Sequence, residues 1–370
     1  MAHTWLRFTA AMINGVLAFV VMCTYEGAVC GQKKAHNDVN NESALILMRS
    51  NEGRLGDQIL FYTAAKWYSW NWGIPFFHAR SHHLKDFILD PEDGIYPFYT
   101  EKLFDGEKVI ASGVQYDSSK SILYKLPFSR ACGCVFRMLR HPGEYKHFLE
   151  RIRDIIKPKY KVTKTVIPQH AISVAVHIRK GSGTDQHQSN LKQLFTDKFL
   201  SDRYYTEQIR RVSEYFNDQS LYVYLFSDYA DVTIIKKYYE SALSDKKNII
   251  IDCNKNDQDD TFLTETGNMV GRGLRSRNIG ELYGDAYKDT IISDLYSMAS
   301  FDCLIRSHSH FAQSAELLGE HKIVVSPNQV YWDKEKDEVI VRTINFFIKD
   351  REWCARAVQR AYNNKNGRKR

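Results

Sequence analysis

Several features are missing from this 370-residue sequence, and each absence excludes a class of protein. The sequence contains no internal repeat and no extended low-complexity tract, which excludes repeat arrays. It has no continuous basic stripe with interleaved aromatic residues, the pattern typical of a nucleic-acid surface. The net charge is +7, but the last nine residues contain four Lys or Arg and no acid. Much of the excess therefore belongs to a terminal tail, and we expect no nucleic-acid partner.

Cysteines are few, 7 in the whole chain, and they lack the spacing of a zinc site. Cys132 and Cys134 have no companion pair at zinc-finger distance, so we predict no metal centre there. Outside the cytosol, one or two disulfides are permitted, with a pairing that the sequence leaves open. A His-based hydrolase is also disfavoured, because His308 and His310 have no nucleophile elbow.

An apolar run near the start of the chain predicts membrane targeting. Residues 8–25 are apolar apart from a few small polar positions, and this length fits a cleaved signal peptide or a short signal anchor. We assign residues 1–31 to this segment and residues 32–43 to a polar stem, which contains a glycosylation sequon at Asn41. The predicted location is the secretory pathway: the Golgi lumen as a type II membrane protein, or a secreted or extracytoplasmic protein if the segment is cleaved.

The remaining chain alternates between strand-like and helix-like segments, which is typical of doubly wound parallel sheets. A polar, basic stretch after Pro158 suggests a boundary between two domains, 44–164 and 165–342. Residues 343–370 are predicted to be a C-terminal helix, from about 343 to 363, and a basic tail. We expect that helix to pack back across the first domain.

The individual elements follow from apolar periodicity and from turn residues. The predicted strands are 44–49, 74–77, 108–111, 171–178, 221–226, 248–252, 303–306 and 322–325. The predicted helices are 58–72, 144–157, 199–216, 231–243, 290–300 and 311–318. Residues 80–143 have no clear period, and no further element is predicted there.

The stretch 171–185 is the centre of the functional prediction. A β-branched run ends in His177-Ile-Arg179-Lys180 and then in a Gly181-Ser-Gly183 loop, as expected for a buried parallel strand that opens into a ligand crevice. The two glycines allow close backbone approach. The planar fork of Arg179 suits two phosphate oxygens.

Two other predicted strands end in polar clusters, Ser227-Asp228 and Ser307-His-Ser309-His310. The carboxyl ends of parallel strands meet at one edge of a sheet, where such sheets bind ligands. Asp228 or Asp252 could accept hydrogen bonds from a purine or ribose, and Ser307 and Ser309 could hold phosphate oxygens. The pattern predicts a nucleotide-sugar site in which Arg179 neutralises a pyrophosphate.

Four motifs occur together in order, and their order and spacing are more specific than any one of them. They are Asn51-Glu-Gly53-Arg54-Leu-Gly56-Asp57-Gln58, His177-Ile-Arg179-Lys180, Leu225-Phe-Ser-Asp228, and the segment from Ile292-Ser-Asp294 to Arg306-Ser-His-Ser309-His310. In these motifs the sequence resembles the α-1,6/α-1,2 and protein O-fucosyltransferase superfamily. It is most similar to the α-1,6 branch of the nodulation-factor type.

The resemblance implies a GT-B fold, in which two Rossmann-like doubly wound domains face a central cleft. It also implies a GDP-fucose donor, inversion at the sugar carbon, no metal or other cofactor, and a glycan, glycolipid or glycoprotein acceptor. By position, Arg179 would bind the β-phosphate, His177 would support the loop, and Asp294 would help to order the donor domain. The candidate donor-binding residues are His177, Arg179, Lys180, Gly181, Gly183, Asp228, Asp294, Ser307, Ser309, His310, Gly53 and Gly56.

The base that would deprotonate the acceptor is open at this point. Asp185 and His187 follow the glycine loop at distances from which a base could reach the sugar. With Arg179 they form the predicted catalytic set. Glu52 and Asp57, from the opposing loop, are further candidates for the base.

Two alternatives remain. Asp257 and Asp259 could form the metal-binding motif of a metal-dependent GT-A transferase, which a chelator would inhibit. The scaffold could instead be a non-catalytic glycan- or nucleotide-binding protein, because fold does not determine function.

Overall fold

The computed structural model describes residues 44–48, 54–78, 84–95, 106–111, 114–117, 122–180, 196–217, 219–229, 231–253, 284–333 and 338–367. All of them belong to one compact unit, Glu42–Arg370. The predicted targeting segment and stem lie outside these residues. Within the described part of the chain, no helix has the length and apolar character needed to cross a membrane.

Strands and helices alternate along most of the described chain. The strands are β1 (Ala44–Met48), β2 (Phe76–His78), β3 (Phe87–Ile88), β4 (Gly94–Ile95), β5 (Gly106–Val109), β6 (Ile122–Lys125), β7 (Lys157–Pro158), β8 (Ile172–Ile178), β9 (Leu221–Ser227), β10 (Ile249–Cys253), β11 (Cys303–Arg306), β12 (Ile323–Asp333) and β13 (Glu338–Ile348). The helices are α1 (Leu55–Trp72), α2 (Phe128–Arg140), α3 (Lys146–Ile155), α4 (Asp202–Tyr215), α5 (Val232–Ala242), α6 (Gly284–Met298), α7 (His310–Leu318) and α8 (Arg351–Gly367).

The strands form two larger sheets and a short ribbon. The first sheet has five parallel strands in the order β4-β2-β1-β6-β5. The second has six strands in the order β10-β9-β8-β11-β12-β13, and β13 is antiparallel to β12. The short ribbon pairs β3 with β7. The α/β class and the parallel sheets are therefore confirmed, with one antiparallel strand at an edge.

Strand β8 lies in the middle of the second sheet and is buried along its whole length. Its alternate residues face opposite layers of the fold. Val174 and Val176 pack with α4, α5 and α8, whereas Ala175 packs with α6 and α7. Helices thus cover both faces of this sheet, as in other parallel sheets.

The apolar cluster that covers the α6–α7 face of the second sheet also includes residues of the first sheet and of the helices packed on it. It includes Ile59 and Tyr62 of α1, Ile152 of α3, and Ala312 and Leu317 of α7. Polar contacts accompany it, since Arg153 Nε donates to the Leu317 carbonyl (3.1 Å). The two sheets therefore share one continuous core.

The prediction of a helix from residue 343 is wrong. Residues 338–348 form β13, because Val339, Ile340 and Val341 begin a stretch rich in β-branched residues that suits a strand. The terminal helix α8 begins only at Arg351. It packs on the second sheet rather than on the first, since the Trp353 ring lies against that of Phe216 at 5.9 Å.

Four elements that were not predicted occur within residues 80–143: the short strands β3 and β4, strand β6 and helix α2. Strand β6 is an interior strand of the first sheet, and its Leu123 and Tyr124 are fully buried. Helix α2 follows directly and buries Val135 and Met138. Helix α1 also begins earlier than predicted, at Leu55 instead of residue 58.

Candidate functional site

The site is built at the end of β8, where His177 lies on the same face as Ala175. His177 is buried, with its ring 6.0 Å from that of Phe311. Burial, and next the positive charges of Arg179 and Arg306, lower the pKa of His177 to about 3. The imidazole is therefore neutral at physiological pH. The ring packs against α7, and the supporting role that the resemblance implies for His177 stays a prediction.

Arg179 and Lys180 follow at the strand end, and neighbouring elements hold them in place. The Lys180 amide donates to Asp228 Oδ1 (2.7 Å), which joins the ends of β8 and β9. The Lys180 ammonium binds both carboxylate oxygens of Asp202, each at 2.6 Å, at the start of α4. The Arg179 guanidinium lies over the Phe199 ring, 5.5 Å from its centre. Asp228 thus shapes the backbone on which Arg179 is presented.

The end of β11 lies beside that of β8, since Arg306 pairs with His177 in the sheet register. Arg306 is buried and binds Glu316 Oε2 through Nε (2.7 Å) and Nη2 (2.6 Å). Its Nη1 donates to the Ser307 carbonyl (3.1 Å). Lys349 binds the other oxygen of Glu316 at 2.7 Å. This buried triad fixes the turn before α7.

The two serines of that turn are less accessible than the sequence suggested. Ser307 is fully buried, and Ser309 is 2% exposed. Ser309 is the N-cap residue of α7, and its side chain makes no capping hydrogen bond. In this structure the two hydroxyl groups therefore lie under the surface of the site.

The N-termini of α1 and α7 meet at this edge, and Gly56 permits their contact. A Cβ atom at Gly56 would lie 2.5 Å from the Phe311 nitrogen and 2.7 Å from the His310 carbonyl carbon, closer than side chains tolerate. Ser314 Oγ donates to the Gly56 carbonyl (3.0 Å). The structure thus gives Gly56 a packing role between the two helices.

Asp57 and His310 form a close pair where these helices meet. His310 Nδ1 lies 2.5 Å from Asp57 Oδ1, and the Arg54 amide donates to Asp57 Oδ2 (2.6 Å). Burial would raise the pKa of Asp57, but the hydrogen bond and charge of His310 outweigh it, and the pKa lies below its ordinary value. Asp57 is therefore an anion with both oxygens engaged.

Lys198 is the functional candidate that sequence reasoning missed. Burial, and next the like charge of Arg179, lower the pKa of Lys198, while Asp57 and Asp197 partly offset this and Arg54 adds to it. The charge of Arg179, at the end of β8, and those of Arg54 and Asp57, at the start of α1, therefore all act on Lys198. No predicted strand or recognised motif contains Lys198, so nothing in the sequence signals it.

His308 anchors the segment that carries Lys198. Its Nδ1 lies 3.0 Å from Asp197 Oδ2, and its Nε2 lies 2.8 Å from the Pro327 carbonyl. Its amide donates to the Asp197 carbonyl (3.0 Å). His308 therefore connects the loop before α4 to β12, and it has a structural role.

Asp294 lies apart from this cluster. Burial raises the pKa of Tyr224 to about 12, and the charge of Asp294 adds to this effect. Tyr224 pairs with Ala175 in the middle of the second sheet. The predicted role of Asp294 in ordering the domain stays a prediction. Asp252 likewise binds the Tyr222 hydroxyl (3.3 Å) within the sheet.

Several predicted residues lie outside the described part of the chain, and their roles stay predictions. They are Gly53, Gly181, Gly183, Asp185 and His187, and also Glu52, Asp257 and Asp259 of the alternatives. Among the residues that are described, no group of three His, Cys, Asp or Glu side chains is arranged to hold a metal ion. Cys132, Cys253, Cys303 and Cys354 are free thiols.

The comparisons with known proteins give matches among solved structures. No protein-family model matches the chain, and no curated protein matches it significantly. The fucosyltransferase NodZ from Bradyrhizobium is similar at a TM-score of 0.38 and 11% identity, over 84% of this chain and 100% of that one. Arabidopsis thaliana FUT1 in complex with GDP is similar at 0.40 and 11%, over 85% and 77%.

POFUT1 in complex with GDP-fucose is also similar, at a TM-score of 0.36 and 10% identity, over 77% of this chain and 96% of that one. Because these scores and identities are low, the functional proposal depends on this chain's own residues. In its four ordered motifs, the sequence resembles the fucosyltransferase superfamily.

Proposed function

We propose that this protein is an inverting, metal-independent glycosyltransferase that transfers fucose from GDP-fucose to a hydroxyl of a glycan or glycoconjugate. In this proposal the two sheets are the cores of two Rossmann-like domains of a GT-B enzyme. The second sheet binds the donor, and the acceptor enters from the side of the first.

One observation carries the proposal: cationic groups from three separate segments converge where β8 ends. Burial is the largest cause that lowers the pKa of Lys198, and the charges of Arg179 and, less strongly, of Arg54 lower it further, so the three cations act on one another. Crowding of like charges is unfavourable in the free protein, and a bound diphosphate relieves it. The N-termini of α1 and α7 add their partial positive charges at the same place.

The same cations supply what the reaction requires. When the sugar leaves, negative charge grows on the β-phosphate, and fixed donors that are already in place stabilise it. A divalent ion has this role in metal-dependent transferases. Here Arg179 and Lys198 would take it, so we expect transfer to continue in a chelator.

Titration calorimetry tests the donor site. The full chain is titrated in EDTA with GDP, GDP-fucose, GDP-mannose and UDP. Arg179→Ala should weaken GDP binding by about a hundredfold, the effect of losing a charged bidentate contact of about 3 kcal/mol. Arg356→Ala is the matched control, because Arg356 lies on α8 with its side chain 64% exposed.

The results separate the candidate functions. Guanine-selective binding that depends on Arg179 supports the donor site, and acceptor screening with GDP-fucose follows. Equal binding of UDP, or an unchanged affinity in Arg179→Ala, would reject the proposal. Donor binding without transfer to any acceptor would favour the non-catalytic alternative.

A further inference from the structure

The pair Asp57 and His310 has the arrangement of a general base and the carboxylate that orients it. Asp57 Oδ1 faces His310 Nδ1 at 2.5 Å. A carboxylate accepts hydrogen bonds and does not donate them, so Nδ1 carries the ring proton. This leaves Nε2 as the ring atom with a free lone pair. Among the described residues, no hydrogen-bond partner of Nε2 is found.

The surroundings of His310 hold the ring in one orientation. The Phe128 ring packs edge-on against the imidazole at 5.6 Å. The His310 carbonyl accepts a hydrogen bond from Ser314 Oγ (2.9 Å), which also binds the Gly56 carbonyl. Asp57 is fixed in turn by the Arg54 amide. The ring nevertheless keeps 22% of its side-chain surface exposed, so solvent and a substrate hydroxyl can reach it.

The pair also lies next to the cations of the proposed donor site. The charges of Asp57 and Arg179 both act on Lys198, which places the carboxylate and the phosphate-binding groups around one side chain. The pair comes from both sheets' helices, α1 and α7. It therefore lies between the proposed donor side and the proposed acceptor side.

We propose that His310 is the general base of the transfer reaction and that Asp57 is its positioning residue. This inference rests on the proposed function. His310 Nε2 takes the proton of the acceptor hydroxyl, and the oxygen lone pair forms the new bond to the anomeric carbon. The bond from that carbon to the β-phosphate oxygen breaks, and its electron pair leaves with GDP. Asp57 stabilises the imidazolium that results.

The sequence resemblance makes His310 a candidate donor-binding residue, and contact with the diphosphate is the role that this would give it. A diphosphate ligand should lose GDP affinity when it is truncated. A base should lose the rate of transfer and leave GDP affinity nearly unchanged. The two roles therefore predict opposite results in one pair of measurements.

The test uses donor hydrolysis, because the acceptor is not identified and water can take its place. The full chain and its variants are incubated with GDP-fucose, and the release of GDP is followed with and without azide. His310→Ala should release GDP at least about a hundredfold more slowly in water, the lower range for loss of a general base. Its Kd for GDP should change less than about threefold.

Azide is already an anion and needs no deprotonation. It should therefore restore GDP release by His310→Ala and give fucosyl azide, while it accelerates the wild type little. Asp57→Asn should behave in the same direction, because the Asn oxygen can still cap Arg54 while its amide presents a donor to His310 Nδ1. The ring proton then moves to Nε2, and the base is lost without loss of the helix cap.

His147→Ala is the matched control, because His147 lies on α3 with its side chain 92% exposed. It should match the wild type in every measurement. GDP binding by each variant shows that its site is folded.

Two results would overturn the proposal. One is a loss of GDP affinity in His310→Ala that matches its loss of rate, which would make His310 a diphosphate ligand. The other is slow release that azide does not restore. If the wild type itself neither binds GDP nor releases it from GDP-fucose, the proposed function is wrong. The role of His310 as a base is then wrong too, because there is no transfer reaction.

Discussion

Replacing Glu316 by Gln should destabilise this protein more at neutral pH than in acid. Glu316 is buried on α7 and binds two cations, the buried Arg306 and the half-buried Lys349. Burial raises the pKa of Glu316, but Lys349 and then Arg306 outweigh it, and the pKa falls from 4.5 to about 2. The carboxylate therefore binds its partners as an anion over the whole physiological range.

The size of the effect follows from this pKa. Since the folded-state pKa is the lower one, the stabilisation is complete above the unfolded pKa of 4.5 and is lost as pH falls toward 2. At about 1.4 kcal/mol per pH unit, the full stabilisation is about 3 kcal/mol. About 1 kcal/mol of it should be gone at about pH 3.5. Gln also leaves the two cations without their anion, so we expect Glu316→Gln to cost about 3–5 kcal/mol at neutral pH.

Urea denaturation followed by tryptophan fluorescence measures this difference. The free energy of unfolding is compared for wild type and Glu316→Gln at about pH 7 and about pH 3.5. Glu320→Gln is the control, because Glu320 is 74% exposed and only 3.5 Å from Arg153 at the surface. Its effect should stay within about 0.5 kcal/mol. A penalty for Glu316→Gln that is equal at both pH values would refute the reasoning.

Two further predictions concern Gly56 and His177. Gly56→Ala should destabilise the protein by about 1–3 kcal/mol in thermal melts, because its Cβ would lie 2.5 Å from the Phe311 nitrogen. Gly133→Ala, whose Cβ has no neighbour within 4 Å, should stabilise α2 by up to about 1 kcal/mol. Losses of equal size in both would contradict the close approach of the helices. The pKa of His177 is lowered from 6.5 to about 3, so the unfolded chain takes up this proton first and stability falls below pH 6.5. Between about pH 7 and pH 5 the free energy of unfolding of the wild type in urea should fall, and His177→Gln should make that fall about 2 kcal/mol smaller. A fall of the same size in the variant would show that His177 does not cause it.

The centre of the second sheet could be predicted from the sequence, because its strands are buried on both faces. Strand β8 is almost continuously apolar, and the strands beside it end in the same kind of polar turn. Strand β13 could not be recognised in the same way. It is the antiparallel strand at the sheet edge, where the partly exposed Asn345 and Arg342 interrupt the apolar pattern. Strand β6 was missed because it has only four residues and is followed almost at once by α2.

The site could be predicted only where one strand end provides several groups together. His177, Arg179 and Lys180 are consecutive or nearly so, and the chemistry of that stretch is readable. The pair of Asp57 and His310 joins residues 253 positions apart, and Lys198 reaches the site from a loop. Only the fold brings these together, through the contact of two helix N-termini that Gly56 permits.

The two sheets share one apolar core, and this limits how the chain can be divided into separate modules. Helices α6 and α7 cover one face of the second sheet with residues that also contact α1 and α3. A chain cut near residue 164 would leave both fragments with uncovered apolar surface, so neither half is a module that could be exchanged on its own. Duplication or shuffling of one half would have to preserve the surface of the other. The two halves should therefore have changed together during evolution.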